Sequence, residues 1–205
     1  MKLKVIVAAI GIMFVSACTM GYDELQAMCK KDAGTVIYER VEVDGYYSDN
    51  CTGPCWSELL HDQFEFVEIY NPTERDFYNP GKGYWHIYLS KQGDENCYSR
   101  VTSRQEHRLD SGQCIAFKKI DKPTAIYGYK HELSDTFILK NYYGSEISKY
   151  ITTAYRISDN KVLAESVDYR LDRDPSTTGD GGGVGCKRSG SGKEPLKYMK
   201  TEVFE

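Results

Sequence analysis

The chain of 205 residues is 40% hydrophobic and 27% charged, a balance that excludes a disordered, collagen-like or multi-spanning protein. Its 17 tyrosines, 7 phenylalanines and 2 tryptophans suit half-buried strands better than helices. A net charge of −4 gives no general attraction for nucleic acid or anionic lipid headgroups, so no nucleic-acid partner is expected.

Taken in chain order, Lys2 and Lys4 precede the apolar run 5–15, followed by Ser16, Ala17 and Cys18, the pattern of a secretory signal. Eleven apolar residues fall well short of the ~20 that a helix needs to cross a bilayer, so residues 1–17 are expected to be removed. Ordinary cleavage after an Ala-x-Ala-like ending is one reading. The other is that Val15-Ser16-Ala17-Cys18 resembles the bacterial lipobox. That resemblance implies a diacylglycerol and palmitate on Cys18, the new N-terminus. With Thr19 in place of aspartate it further implies anchoring in the outer membrane, facing the periplasm. Residues 18–21 would then form the lipidated end and a short tether, and 22–205 a single β-rich domain. Loss of residues 1–17 would take the net charge from −4 to −6.

Residues 22–31 predict one short helix, with Leu25, Met28 and Cys29 on one face, Asp23 and Gln26 spaced as a capping box, and Gly34 as the stop. Strands are predicted at 35–43, 63–70, 83–90, 98–109, 113–119, 125–131 and 137–142, with 44–50 a polar turn. The last pair, 149–157 and 162–171, flanks Ser158-Asp159-Asn160-Lys161, whose two central residues tolerate positive φ. Such a hairpin would set Ile157 opposite Val162, Tyr155 opposite Ala164 and Tyr150 opposite Tyr169. The expected fold class is α+β, mainly antiparallel β: a short N-terminal helix followed by a disulfide-braced multi-strand sheet or sandwich.

Setting Cys18 aside leaves Cys29, Cys51, Cys55, Cys97, Cys114 and Cys186, an even number that predicts three disulfides in an oxidising compartment. Six cysteines allow 15 pairings. Cys97 with Cys114 is the more natural pair, because the segments around them can run antiparallel; Cys51 with Cys55 would close only a tight local loop.

The stretch Cys29-Lys30-Lys31-Asp32-Ala33-Gly34-Thr35-Val36-Ile37-Tyr38-Glu39 resembles the C-x-K-D-G-G-x-x-V-Y-E segment of small uncharacterised lipoproteins of Gram-negative bacteria, with Ala33 where that segment has glycine. The resemblance implies a helix end turning into the first strand, with Cys29 pinning the helix through a disulfide, and it adds no active site.

Catalytic motifs are not visible. Cys51-Thr52-Gly53-Pro54-Cys55-Trp56 has one residue too many for a C-x-x-C redox site, and a copper site would need His61 as well, so structural disulfides are the simpler reading. His61, His86, His107 and His131 lack metal-ligand spacing, and no metal or cofactor is expected. The glycine-rich loop 172–195 matches neither a phosphate loop nor a calcium repeat, since Lys187 and Glu194 stand at the decisive positions. Its Lys187, Arg188 and Lys193 form a basic cluster that would suit an acidic partner patch or an anionic glycan. Tyr84, His86 and Tyr88 alternate with Trp85, Ile87 and Leu89, giving one strand two faces; such aromatic stripes serve cross-strand packing first and ligand platforms second.

The expectation is an outer-membrane lipoprotein, not an enzyme, that meets the membrane through its lipid and a protein partner in the envelope. It would act as a binding or structural module, or alternatively as a periplasmic inhibitor or immunity protein. A hydrolase with an unrecognised acid/base site is the third option.

Overall fold

A computed structural model describes residues 21–49, 51, 53–61, 64–75, 78–98, 109, 112–139, 145–172, 184–186 and 203–204. Cys18, the basic cluster Lys187, Arg188 and Lys193, His107 and most of the loop 172–195 lie outside them.

Helix α1 spans Tyr22–Asp32. The expected capping box does not form: Gly21 is the N-cap at φ 78°, with no side-chain cap, and Asp23 instead sits with Glu24 in the first turn, where the helix dipole favours acids. Strand β1 is Gly34–Ile37, β2 Gly45–Ser48, β3 Phe66–Asn71, β4 Gly83–Lys91, β5 Gln113–Ile120, β6 Tyr127–Ile138, β7 Glu146–Arg156, β8 Lys161–Asp172 and β9 Val184–Gly185. A 3-10 helix, η1, covers Cys55–His61. Among the described residues the strands pair in the order β1-β8-β7-β6-β2-β3-β4-β5, with β9 also on β8, so the mostly β architecture with one short helix is as expected.

Five elements differ from expectation. The strand expected at 35–43 ends at Ile37, and beyond it Val41 makes only a single bridge to Phe204. The supposed polar turn 44–50 holds β2, buried throughout and hydrogen-bonded in parallel to both β3 and β6. A strand buried on both faces shows no alternation, and the flanking Asp44, Asp49 and Asn50 imitate turn chemistry. No break separates the strands expected at 125–131 and 137–142: residues 127–138 run on as one strand, β6, and 140–142 lie outside the described set. Tyr98 and Leu109, the ends of the expected strand 98–109, are not in a strand, although Cys97 makes a single bridge to Ala116; residues 99–108 lie outside the described set. The last hairpin is joined by four residues, 157–160, so its strands end at Arg156 and Lys161 rather than at Ile157 and Val162. Asn160 alone of the two central residues takes positive φ, 55°.

The chain forms two compact units. The first comprises Met1–Thr35, Leu133–Ile151 and Ser166–Lys193. In it Leu25 of α1 is fully buried with Ile147, Tyr169 and Leu171. Asp32 accepts hydrogen bonds from the Tyr169 hydroxyl at 2.8 Å and Lys149 at 3.4 Å, and Cys29 is bonded to Cys186, so a disulfide pins the helix. The second comprises Val36–Glu132, Thr152–Glu165 and Glu194–Glu205. Its core gathers Tyr46, Trp56, Leu59, Val67, Ile69, Ile87, Ile115, Leu163 and Phe204. Here Cys97 joins Cys114 and Cys51 joins Cys55.

Candidate functional site

The antiparallel register of β3 and β4 sets Val67 opposite Ile87 and Ile69 opposite Trp85, which sends those residues into the core of the second unit. Alternation then sends Phe66, Glu68 and Tyr70 to the other face, opposite Tyr88, His86 and Tyr84. Across the two strands Phe66 stacks on His86 at 4.6 Å and 25° and Tyr70 meets Tyr84 at 4.8 Å, and along β4 His86 lies 5.7 Å from Tyr88. On the same face Tyr47 of β2 donates to Asp49 at 3.3 Å. Burial pushes the hydroxyls of Tyr47 and Tyr155 up, that of Tyr155 to about 12, so neither supplies a phenolate base.

At the centre of this aromatic face is a carboxylate with no access to water. Glu68 is 0% exposed and accepts from the Thr124 backbone N–H at 2.7 Å, the Thr124 hydroxyl at 2.5 Å and the Ala125 N–H at 2.9 Å, while His86 Nδ1 lies 3.0 Å from it. Burial alone would push its carboxyl up, but these donors outweigh that and hold it below the ordinary glutamate range. An ionised Glu68 takes its hydrogen bond from Nδ1–H of His86. Whenever that ring is neutral its lone pair is therefore on Nε2.

Two adjoining open cavities flank this arrangement and share Val43, Asp44 and Phe66. The first, about 710 Å³, is lined by Val43, Leu59, Phe64 and Leu89, by Phe66, His86 and Tyr88, and by Asp44 and Glu65. The second, about 680 Å³, includes Glu42, Thr124, Ala125, Ile126 and Tyr127. Both volumes fall in the range typical of small-ligand sites. Glu68 thus holds His86 of the first cavity and the Thr124–Ala125 wall of the second. Gly45 makes the shared wall possible: a Cβ there would stand 2.3 Å from the Phe66 carbonyl and 2.7 Å from its ring.

Of the residues singled out from the sequence, the structure brings together Tyr84, His86 and Tyr88. Cys51 and Cys55 are bonded to each other, His131 Nδ1 lies 2.9 Å from the Thr152 hydroxyl, and no cluster of three metal-ligating side chains exists among the described residues. Sequence reasoning missed Glu68. Its signal was an acid between Val67 and Ile69 in the otherwise apolar run Phe66–Tyr70, but its partner is a register contact that spacing does not disclose. Compared with known proteins, the chain matches no family model, no curated protein and no solved structure.

Proposed function

We propose that the chain is a lipid-anchored binding module of the bacterial cell envelope, held to the outer membrane through Cys18, and that the paired cavities beside Phe66 and His86 are its recognition site. The observation that carries this reading is Glu68. Burying a carboxylate costs several kcal/mol before its partners repay it, and an apolar residue would pack the same face as well or better. Here the burial fixes the imidazole that lines one cavity and the backbone that walls the other. The signal-like segment 1–17 and the three disulfides agree with an exported chain. No described helix is long and apolar enough to span a membrane.

In-cell photocrosslinking tests this. A benzophenone side chain in place of Tyr88 should yield a discrete adduct, and one in place of Glu132 on β6, whose side chain is 44% exposed, should not. The Cys18→Ala chain should leave the membrane fraction. Equal labelling from both positions, or none from position 88, removes the site; membrane retention of Cys18→Ala removes the anchor.

A further inference from the structure

We infer that the end of the first unit where α1 starts and β6 finishes lies against the bilayer, with the side chain of Ile138 buried among the lipids. This rests on the reading of Cys18 as the lipidated residue and adds which face of the protein the anchor holds to the membrane. The length of the tether comes first. Only Thr19 and Met20 stand between Cys18 and Gly21, and three links of fully extended chain span about 11 Å, so Gly21 lies no further than that from the residue that carries the lipid. Whatever surrounds Gly21 is therefore held at the membrane as well. A Cβ built on Gly21 would meet Leu139 Cδ1 at 2.8 Å and Leu171 Cδ1 at 3.2 Å, so the chain enters α1 over the ends of β6 and β8.

Exposure comes second. Ile138, the last residue of β6, is 75% exposed, more than any other large apolar side chain among the described residues. Its neighbours Phe137 and Leu139 pack onto the core around Leu25, so the strand is held in place while Ile138 is not covered. An isoleucine left in water beside so short a tether loses its contact with water once that end meets acyl chains. Tyr22, half-buried at the start of α1, brings an amphipathic ring to the same end, the kind of side chain that sits at headgroup level. The charges decide the kind of surface. Asp23 and Glu24 are exposed in the first turn of α1, and Arg170, next to Leu171, is already paired with Asp172 at 2.7 Å. A purely anionic surface would meet the two acids with repulsion, so the contact is apolar and suits zwitterionic headgroups that carry an amine.

Tryptophan quenching tests this on the full-length protein, purified from membranes in detergent and reconstituted into vesicles of phosphatidylethanolamine and phosphatidylglycerol whose acyl chains carry bromine. Ile138→Trp and Leu133→Trp each add an indole at an exposed position of β6, the second about 16 Å back along the strand and within the same unit. The emission of Trp56 and Trp85 is subtracted with the unsubstituted protein. The indole at position 138 should lose most of its emission to the bromines, and the one at position 133 should keep its own. The loss should persist in about 1 M salt, where charges are screened beyond about 3 Å. Quenching at both positions, at neither, or only at low salt overturns the inference; absence at both is also the outcome expected if a protein partner, and not lipid, covers Ile138. The intact mass of the same preparation reports on Cys18. An acylated chain without quenching at position 138 leaves the anchor standing and removes this inference alone, whereas an unacylated chain removes both.

Discussion

Replacing Glu68 by glutamine keeps the shape of the side chain, and its oxygen can stay on the Thr124 and Ala125 N–H groups only if its amide N–H groups turn to the Thr124 hydroxyl and His86 Nδ1, which forces the imidazole into the opposite tautomer. The loss of the charged acceptor should cost about 1–3 kcal/mol. The pH dependence has a definite sign. Because the folded protein holds the Glu68 carboxyl below its ordinary value of 4.5, its stabilisation is fully present above that pH and is lost as the pH falls through the lower, folded value. Melting temperatures taken downward from pH 7 should therefore show an acid-limb decline in the wild type that is shallower in Glu68→Gln. Parallel curves would mean that the carboxylate is not ionised in the fold. At this scale the sequence was half legible: the alternation of Tyr84, His86 and Tyr88 marked a face, while the acid that organises that face sat eighteen positions away on another strand.

Strand β2 shows what pairing adds to pattern. Tyr46 and Tyr47 are buried on opposite faces, and the strand is flanked by parallel partners whose residues lie far along the chain, at Phe66 and at Gly128. Nothing local distinguishes such a segment from a polar turn, whereas β4 and β5 announce themselves by alternation and an antiparallel register. Gly45 is the weak point of the arrangement. Alanine there meets the Phe66 carbonyl, which as backbone cannot swing aside, so Gly45→Ala should destabilise by about 1–3 kcal/mol and shift the Phe66 ring out of its stack with His86. Chemical denaturation and the His86 ring resonances together check this. Unchanged stability with an unmoved His86 would show that β2 and β3 do not approach so closely.

Over the whole molecule the three disulfides divide the labour unequally. Cys51–Cys55 and Cys97–Cys114 span separations of 4 and 17 residues within the second unit, whereas Cys29–Cys186 spans 157 and pins the helix of the first. In the chain-entropy account the stabilisation grows with loop length, reaching about 4–5 kcal/mol for the long bridge. Replacing Cys29 and Cys186 by serine should therefore expose the amides of α1 to hydrogen exchange well before those of β3 and β4. Uniform loss of protection would instead make the bridge a global brace. The even cysteine count, the short helix and the β-rich remainder were readable because composition and spacing are local properties. The pairing order of the strands, with β2 inserted between β3 and β6, was not, because it is settled by contacts between distant stretches.

The discontinuity of the first unit also orders events in time. Leu25 emerges from the ribosome early, but the residues it is buried against, Ile147, Tyr169 and Leu171, lie more than a hundred positions later. Synthesis and export must therefore deliver more than a hundred further residues before the surface that covers α1 is present. Until then its apolar face and the Cys29 thiol are open to whatever the nascent chain meets. A ribosome that stalls before Leu171 thus leaves this unit without its core, however well the stretches already made have folded.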